Sequence, residues 1–194
     1  MSSTDFQIAL AKLIASPQLC EKALADQDSF FADFVLTEKE KRRLHSVLRQ
    51  KGISACCSLY RMNRVTPVYT QLSNTCTLLG DELLPVIEGF WEYFSGTSLQ
   101  FKEEVLEFGS FLMNKIDTGM VKIPFLKEVL QLEIAMNELS YLPEGETRVL
   151  QFEHDIFQLL HSLAGGTLDS DVIEKSQAVH KMYLKNMEIQ MDVI

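Results

Sequence analysis

Through the first two thirds of this 194-residue chain, hydrophobic positions recur every three to four residues, the period of helices that each bury one face. Thr4 with Gln7 reads as a capping box ahead of Phe6, Ile8, Leu10, Leu13 and Ile14, because a hydroxyl and an amide can satisfy each other's backbone donors. Ser16 before Pro17 restarts a helix, since proline is tolerated at the first helical position. A short apolar segment, Ser29 to Val35, leads into a helix opened by a second box, Thr37 with Glu40, and stopped at Gly52. A helical run from Ile53 to Leu72 contains Pro67, which is expected to kink or break it by removing a backbone donor. After Gly80 and Asp81, an aromatic cluster of Phe90, Trp91, Tyr93 and Phe94 reads as core. Val105, Phe108, Leu112 and Ile116 share one helix face, and Pro124 opens another helix with Leu126, Leu130 and Leu139 as buried candidates.

The period changes after Pro143, Glu144 and Gly145. Val149 to Phe152 is β-prone. Asp155 is placed to cap a helix carrying Ile156, Phe157, Leu159, Leu160 and Leu163, with Gly165 and Gly166 as its stop. At the end, Met187, Ile189, Met191 and Val193 alternate with Glu188, Gln190 and Asp192, the period of a half-buried strand. Its hairpin partner is Ala178 to Leu184, turning near Lys185 and Asn186. The pattern therefore predicts a predominantly α, α+β protein: a helical domain over 1–143, then a winged-helix-like strand-helix-hairpin module with a short antiparallel sheet over 144–194.

Composition narrows the function classes. A 46% hydrophobic content over this length supports a sizeable core. A formal charge of −9, from 27 acidic against 18 basic residues, repels a phosphate backbone. The one basic stretch, Lys39 to Lys51, is interleaved with Glu38 and Glu40, and the candidate recognition helix over 155–164 holds no lysine or arginine, so nucleic acid is not an expected partner. The N-terminal segment lacks a signal-peptide pattern, and no apolar run is long enough to span a bilayer, which predicts a cytoplasmic protein without a membrane partner. Cys20, Cys56, Cys57 and Cys76 read as free thiols, with adjacent Cys56 and Cys57 poorly placed to bond to each other. His45, His154, His161 and His180 show no metal-ligand spacing, and no nucleophile elbow or phosphate loop is present. No catalytic residue, metal or cofactor is expected on this chain.

The runs LYRMNRVTPVYTQL, TLLGDELL, LEFGSFL and IPFLKEVLQLEIA, followed by the strand-helix-hairpin segment, resemble partner proteins of multinuclear non-haem iron oxidases that modify ribosomally made peptides. The resemblance runs from about Phe6 to Val193 and rests on Tyr60-Arg61 with Asn63, Leu78-Leu79-Gly80, and Pro124 with Leu126, Leu132 and Glu133. Leu72-Ser73 stand where HvfC/BufC-like relatives carry an aromatic-proline pair, so the compact chain looks more like the MbnC branch of methanobactin biosynthesis. The resemblance implies a subunit without iron that binds an MbnB-like oxidase and captures the leader of a precursor peptide. The chemistry this resemblance implies is oxidation of a core cysteine to oxazolone and thioamide by that oxidase.

A sheet edge suits that task, because unpaired backbone groups can accept an extended peptide as an added strand. Val149, Leu150, Phe152, Ile189, Met191 and Val193 are the expected docking platform, and Tyr60, Arg61, Asn63 and Arg64 the expected oxidase-facing helix surface. A helical adaptor or a winged-helix regulator with no part in peptide modification is the alternative.

Overall fold

The computed structural model describes residues 4–50, 53–94, 101–166, 168 and 172–194, with residues 17, 18 and 53–58 described through their backbone alone. The chain forms two units: Met1–Thr66 with Phe94–Ser98, and Pro67–Tyr93 with Leu99–Ile194.

The first unit contains α1 (Thr4–Ala15), α2 (Pro17–Ala25), α3 (Gln27–Ala32) and α4 (Glu38–Leu48). Its core is Ala9, Leu13, Cys20, Ala23, Phe31, Leu44 and Leu48. Local chemistry sets the helix starts. Ser16 accepts from the Leu19 N–H at 3.2 Å, with Pro17 at the first helical position. Asp26 ends α2 and also caps α3, accepting from the Ser29 N–H at 3.1 Å. Thr37 and Glu40 form a reciprocal box, the Thr37 N–H donating to the Glu40 carboxylate at 2.9 Å. The box read at Thr4 and Gln7 does not stand, since Thr4 is already helical. Gly52 lies outside the described residues.

Helix α5 (Ile53–Gln71) continues through Pro67 instead of breaking there. Proline withdraws one backbone donor, and the nearby Thr66 hydroxyl donates to the Met62 carbonyl at 2.7 Å.

The second unit holds α6 (Ser73–Leu79), α7 (Leu83–Tyr93), α8 (Phe101–Asp117), α9 (Leu126–Leu139), β1 (Thr147–Gln151), α10 (Ile156–Ala164), β2 (Val179–Lys185) and β3 (Glu188–Val193). The mixture is predominantly helical with one small antiparallel sheet of order β1-β2-β3. Val105, Phe108 and Leu112 are fully buried along α8, as the sequence pattern predicts, and the Phe90 and Phe108 rings meet edge to face at 5.5 Å. The aromatic cluster of α7 is only partly core: Phe90 is buried, whereas Tyr93 is 76% exposed. The change of character after residue 143 is a change from helix to strand inside this unit. Val129, Leu132 and Leu139 of α9 share one core with Phe152, Ile156, Leu159 and Met182.

Helix α9 organises the unit through three glutamates five residues apart. At 100° per residue, each lies about 140° round the helix from the last, so the three address different neighbours. Glu128 accepts from the backbone N–H of Glu153 at 2.8 Å and of His154 at 3.0 Å, and meets the His154 ring at 2.7 Å. Glu133, itself buried, accepts from the backbone N–H of Asn74 at 2.8 Å and of Thr75 at 2.9 Å, and from the Asn74 amide at 3.0 Å. It thereby caps α6, whose own N-cap residue, Leu72, has no side-chain acceptor. Glu138 pairs with Arg148 of β1 at 2.6 Å.

The hairpin turn is Asn186-Met187, both with positive φ (52° and 64°), between the paired residues Lys185 and Glu188. This two-residue turn matches the right-handed twist of its strands. Met187 therefore belongs to the turn, one residue beyond the turn read from sequence, and is 91% exposed.

Candidate functional site

The register decides which backbone groups each sheet edge offers. In an antiparallel pair, facing residues alternate between those that exchange both backbone bonds and those that exchange none. Beyond the end of β1, the Phe152 N–H donates to the Ala178 carbonyl at 3.3 Å, continuing the pairing of Leu150 with His180 and Arg148 with Met182. Arg148, Leu150 and Phe152 therefore turn their backbone groups toward β2, while Thr147, Val149 and Gln151 turn theirs outward. At the other edge, the Ile194 N–H donates to the Val179 carbonyl at 2.9 Å. By the same alternation Glu188, Gln190 and Asp192 bond β2, and Ile189, Met191 and Val193 face outward.

The two edges have different surroundings. Beside β1 lies a cleft of about 540 Å³, walled by Gly109, Ser110, Met113 and Asn114 of α8, by Gln131, Ile134, Ala135 and Glu138 of α9, and by Arg148 and Leu150 of β1. Arg148 and Leu150 are the β1 side chains on the core-facing side of the sheet, the side on which His180 and Met182 are buried. No residue of β2 lines the cleft, which therefore borders β1 on its side away from β2. The helices run close there because Gly109 has no side chain: a Cβ built on it would meet Ile134 Cδ1. The floor is apolar at Met113, Ile134, Ala135 and Leu150, and its charges are paired, Glu138 with Arg148 and Asp117 with Lys127 at 2.8 Å.

The expected docking residues do not make one surface. Phe152 is fully buried in the core. Leu150, Ile189 and Met191 are half-buried and pack against that core. Val149, 59% exposed, lies on the opposite face of the sheet, since neighbours along a strand alternate sides. Val193, 67% exposed, shares the core-facing side but belongs to the other edge. On α5, Asn63 is exposed and Tyr60 and Arg61 are half-buried, whereas Arg64 is only 8% exposed with its guanidinium 5.8 Å from the Tyr60 ring centre. Arg64 is thus largely spent inside the fold. The cleft residues Gly109, Met113, Gln131, Ile134, Glu138 and Arg148 were not legible as a set. Glu138 and Arg148 are ten residues apart on a helix and a strand, and no local spacing announces their pairing.

Of the thiols, Cys20 and Cys76 are buried, the Cys20 thiol donating to the Leu13 carbonyl at 2.9 Å, and the side chains of Cys56 and Cys57 lie outside the described set. Burial, with the Glu133 carboxylate nearby, pushes the Cys76 thiol up to about 12. His154 is engaged by Glu128, and its ring stands edge-on to Phe125 at 4.9 Å; His161 is exposed on α10. Among the described residues, no group of three or more His, Cys, Asp or Glu is arranged to hold a metal ion, and no helix is long and apolar enough to cross a membrane. Compared with known protein families and with curated proteins, the sequence matches none.

Proposed function

We propose that this chain is a non-catalytic partner subunit that captures the leader of a ribosomal precursor peptide as a fourth strand on the outward edge of β1. The observation that carries the reading is the coincidence of that edge with the α8-α9 cleft. Backbone groups at Val149 and Gln151 supply affinity, and the cleft supplies side-chain selection. The excess of 27 acidic over 18 basic residues favours a leader rich in lysine or arginine and speeds its encounter. The second partner, a multinuclear non-haem iron oxidase that holds the iron and oxidises a core cysteine to oxazolone and thioamide, enters through the sequence resemblance alone, and Tyr60, Arg61 and Asn63 are its proposed contacts.

The register supplies a clean test. Val149→Pro removes an N–H that points outward, so it leaves the β1–β2 ladder intact, whereas Leu150→Pro removes an internal bond. A fluorescein-labelled leader, from a precursor encoded beside a candidate oxidase, is expected to bind Val149→Pro about tenfold or more weakly than the unaltered chain. Equal binding by a folded Val149→Pro would remove the β1 edge from the reading. Co-purification with the oxidase should place all iron on the other chain; iron on this one would overturn the subunit assignment.

A further inference from the structure

The opposite edge carries a different chemistry. Ile189, Met191 and Val193 turn their backbone groups away from β2, and among the described residues nothing bonds to them. Val193 is 67% exposed although it lies on the apolar side of the sheet, opposite the buried His180. Strand β3 is also nearly palindromic in residue class about Met191: Gln190 and Asp192 flank it on one face, Ile189 and Val193 on the other. A two-fold interface requires a surface that complements itself.

We propose that β3 pairs antiparallel with β3 of a second copy, the two-fold axis passing through Met191, so that two three-stranded sheets become one of six strands. Charge selects this register. Centring on Gln190 would set Glu188 opposite Asp192, and centring on Asp192 would set two aspartates face to face, both repulsive. Centring on Ile189 or Val193 overlaps only about three residues before a turn or the strand end intervenes. Centring on Met191 places Ile189 against Val193 of the second copy and Gln190 against Asp192. The Asp192 carboxylate accepts from the Tyr183 hydroxyl at 3.0 Å and retains sites for the Gln190 amide. The pairing uses the edge that the captured peptide leaves free and does not depend on that capture.

Sedimentation equilibrium of the full chain tests the pairing. The expected result is a reversible equilibrium between the 22.1 kDa chain and a species of twice that mass. Gln190→Glu sets a like charge against Asp192 twice per dimer, and Gln190→Lys an opposite charge twice. Both substitutions are at a half-exposed outward-facing position away from the core, and circular dichroism checks that the fold persists. The dissociation constant should rise roughly 2- to 30-fold for Gln190→Glu and fall by a similar factor for Gln190→Lys. A monomer at every concentration, or a dimer whose constant does not move in opposite directions in the two variants, overturns the proposal.

Discussion

Replacing Glu133 by alanine should be among the most damaging single changes in the second unit. The carboxylate accepts three hydrogen bonds, two of them from backbone donors in the first turn of α6. Thr75 is fully buried, so its orphaned N–H finds no water and costs about 1–3 kcal/mol. Asn74 is half-exposed and recovers water, so its loss is smaller, about 0.5–1 kcal/mol. Removing a negative charge from a helix N-terminus adds roughly 0.3–1 kcal/mol. Together these give about 2–5 kcal/mol, or a fall of roughly 4–20 °C in the unit's melting temperature. Urea unfolding followed by the fluorescence of Trp91, the single tryptophan, reports on this unit directly. Glu138→Ala, which breaks a part-exposed pair, should cost about 1 kcal/mol or less and serves as the control. If Glu133→Ala unfolded within about 1 kcal/mol of the unaltered chain, the account of α6 capping would be refuted.

Two further outcomes follow from backbone and burial. Met187→Gly should stabilise the hairpin by about 0.5–1 kcal/mol, since glycine accepts the positive φ and the exposed methionine side chain loses almost no packing; thermal melts of the pair decide it. Cys76 should make the protein sensitive to alkali: from its ordinary value of 9.0 upward the unfolded thiol releases its proton, while the folded one holds it to about 12, so stability is lost across that window. The loss has a limiting slope of about 1.4 kcal/mol per pH unit, and Cys76→Ala should lack it when urea midpoints are compared from pH 8 upward.

The features legible in the sequence are those whose cause is local. Thr37 and Asp155 cap helices because an acceptor and its donor lie two or three residues apart, and Pro17 restarts a helix at its first position. The strand-helix-hairpin order of the C-terminal segment was legible from the switch in hydrophobic period. Met187 was misplaced because a turn residue that happens to be apolar extends a period-two alternation without interruption. The Glu133 cap joins residues 58 and 59 positions apart, and a lone glutamate in an amphipathic helix looks like any solvated one. The cleft beside β1 needed the tertiary arrangement outright, since it depends on how close α8 and α9 approach at Gly109 and Ile134. The grouping of Val149 with Leu150 and Phe152 treated a strand as one surface, whereas the pleat divides it between two.

The glutamates of α9 make the phase of that helix as consequential as its composition. One residue inserted between Glu133 and Glu138 would rotate the remainder of α9 by about 100° relative to its first half, so that Glu138 with Arg148 and Glu128 with His154 could no longer both keep their pairing. An insertion before Glu128 would instead turn all three together relative to whatever precedes the helix. Length variation in descendants of this chain should therefore accumulate in its connections and be purged from α9, where a substitution costs the contacts of one side chain and a shift of frame costs the alignment of several.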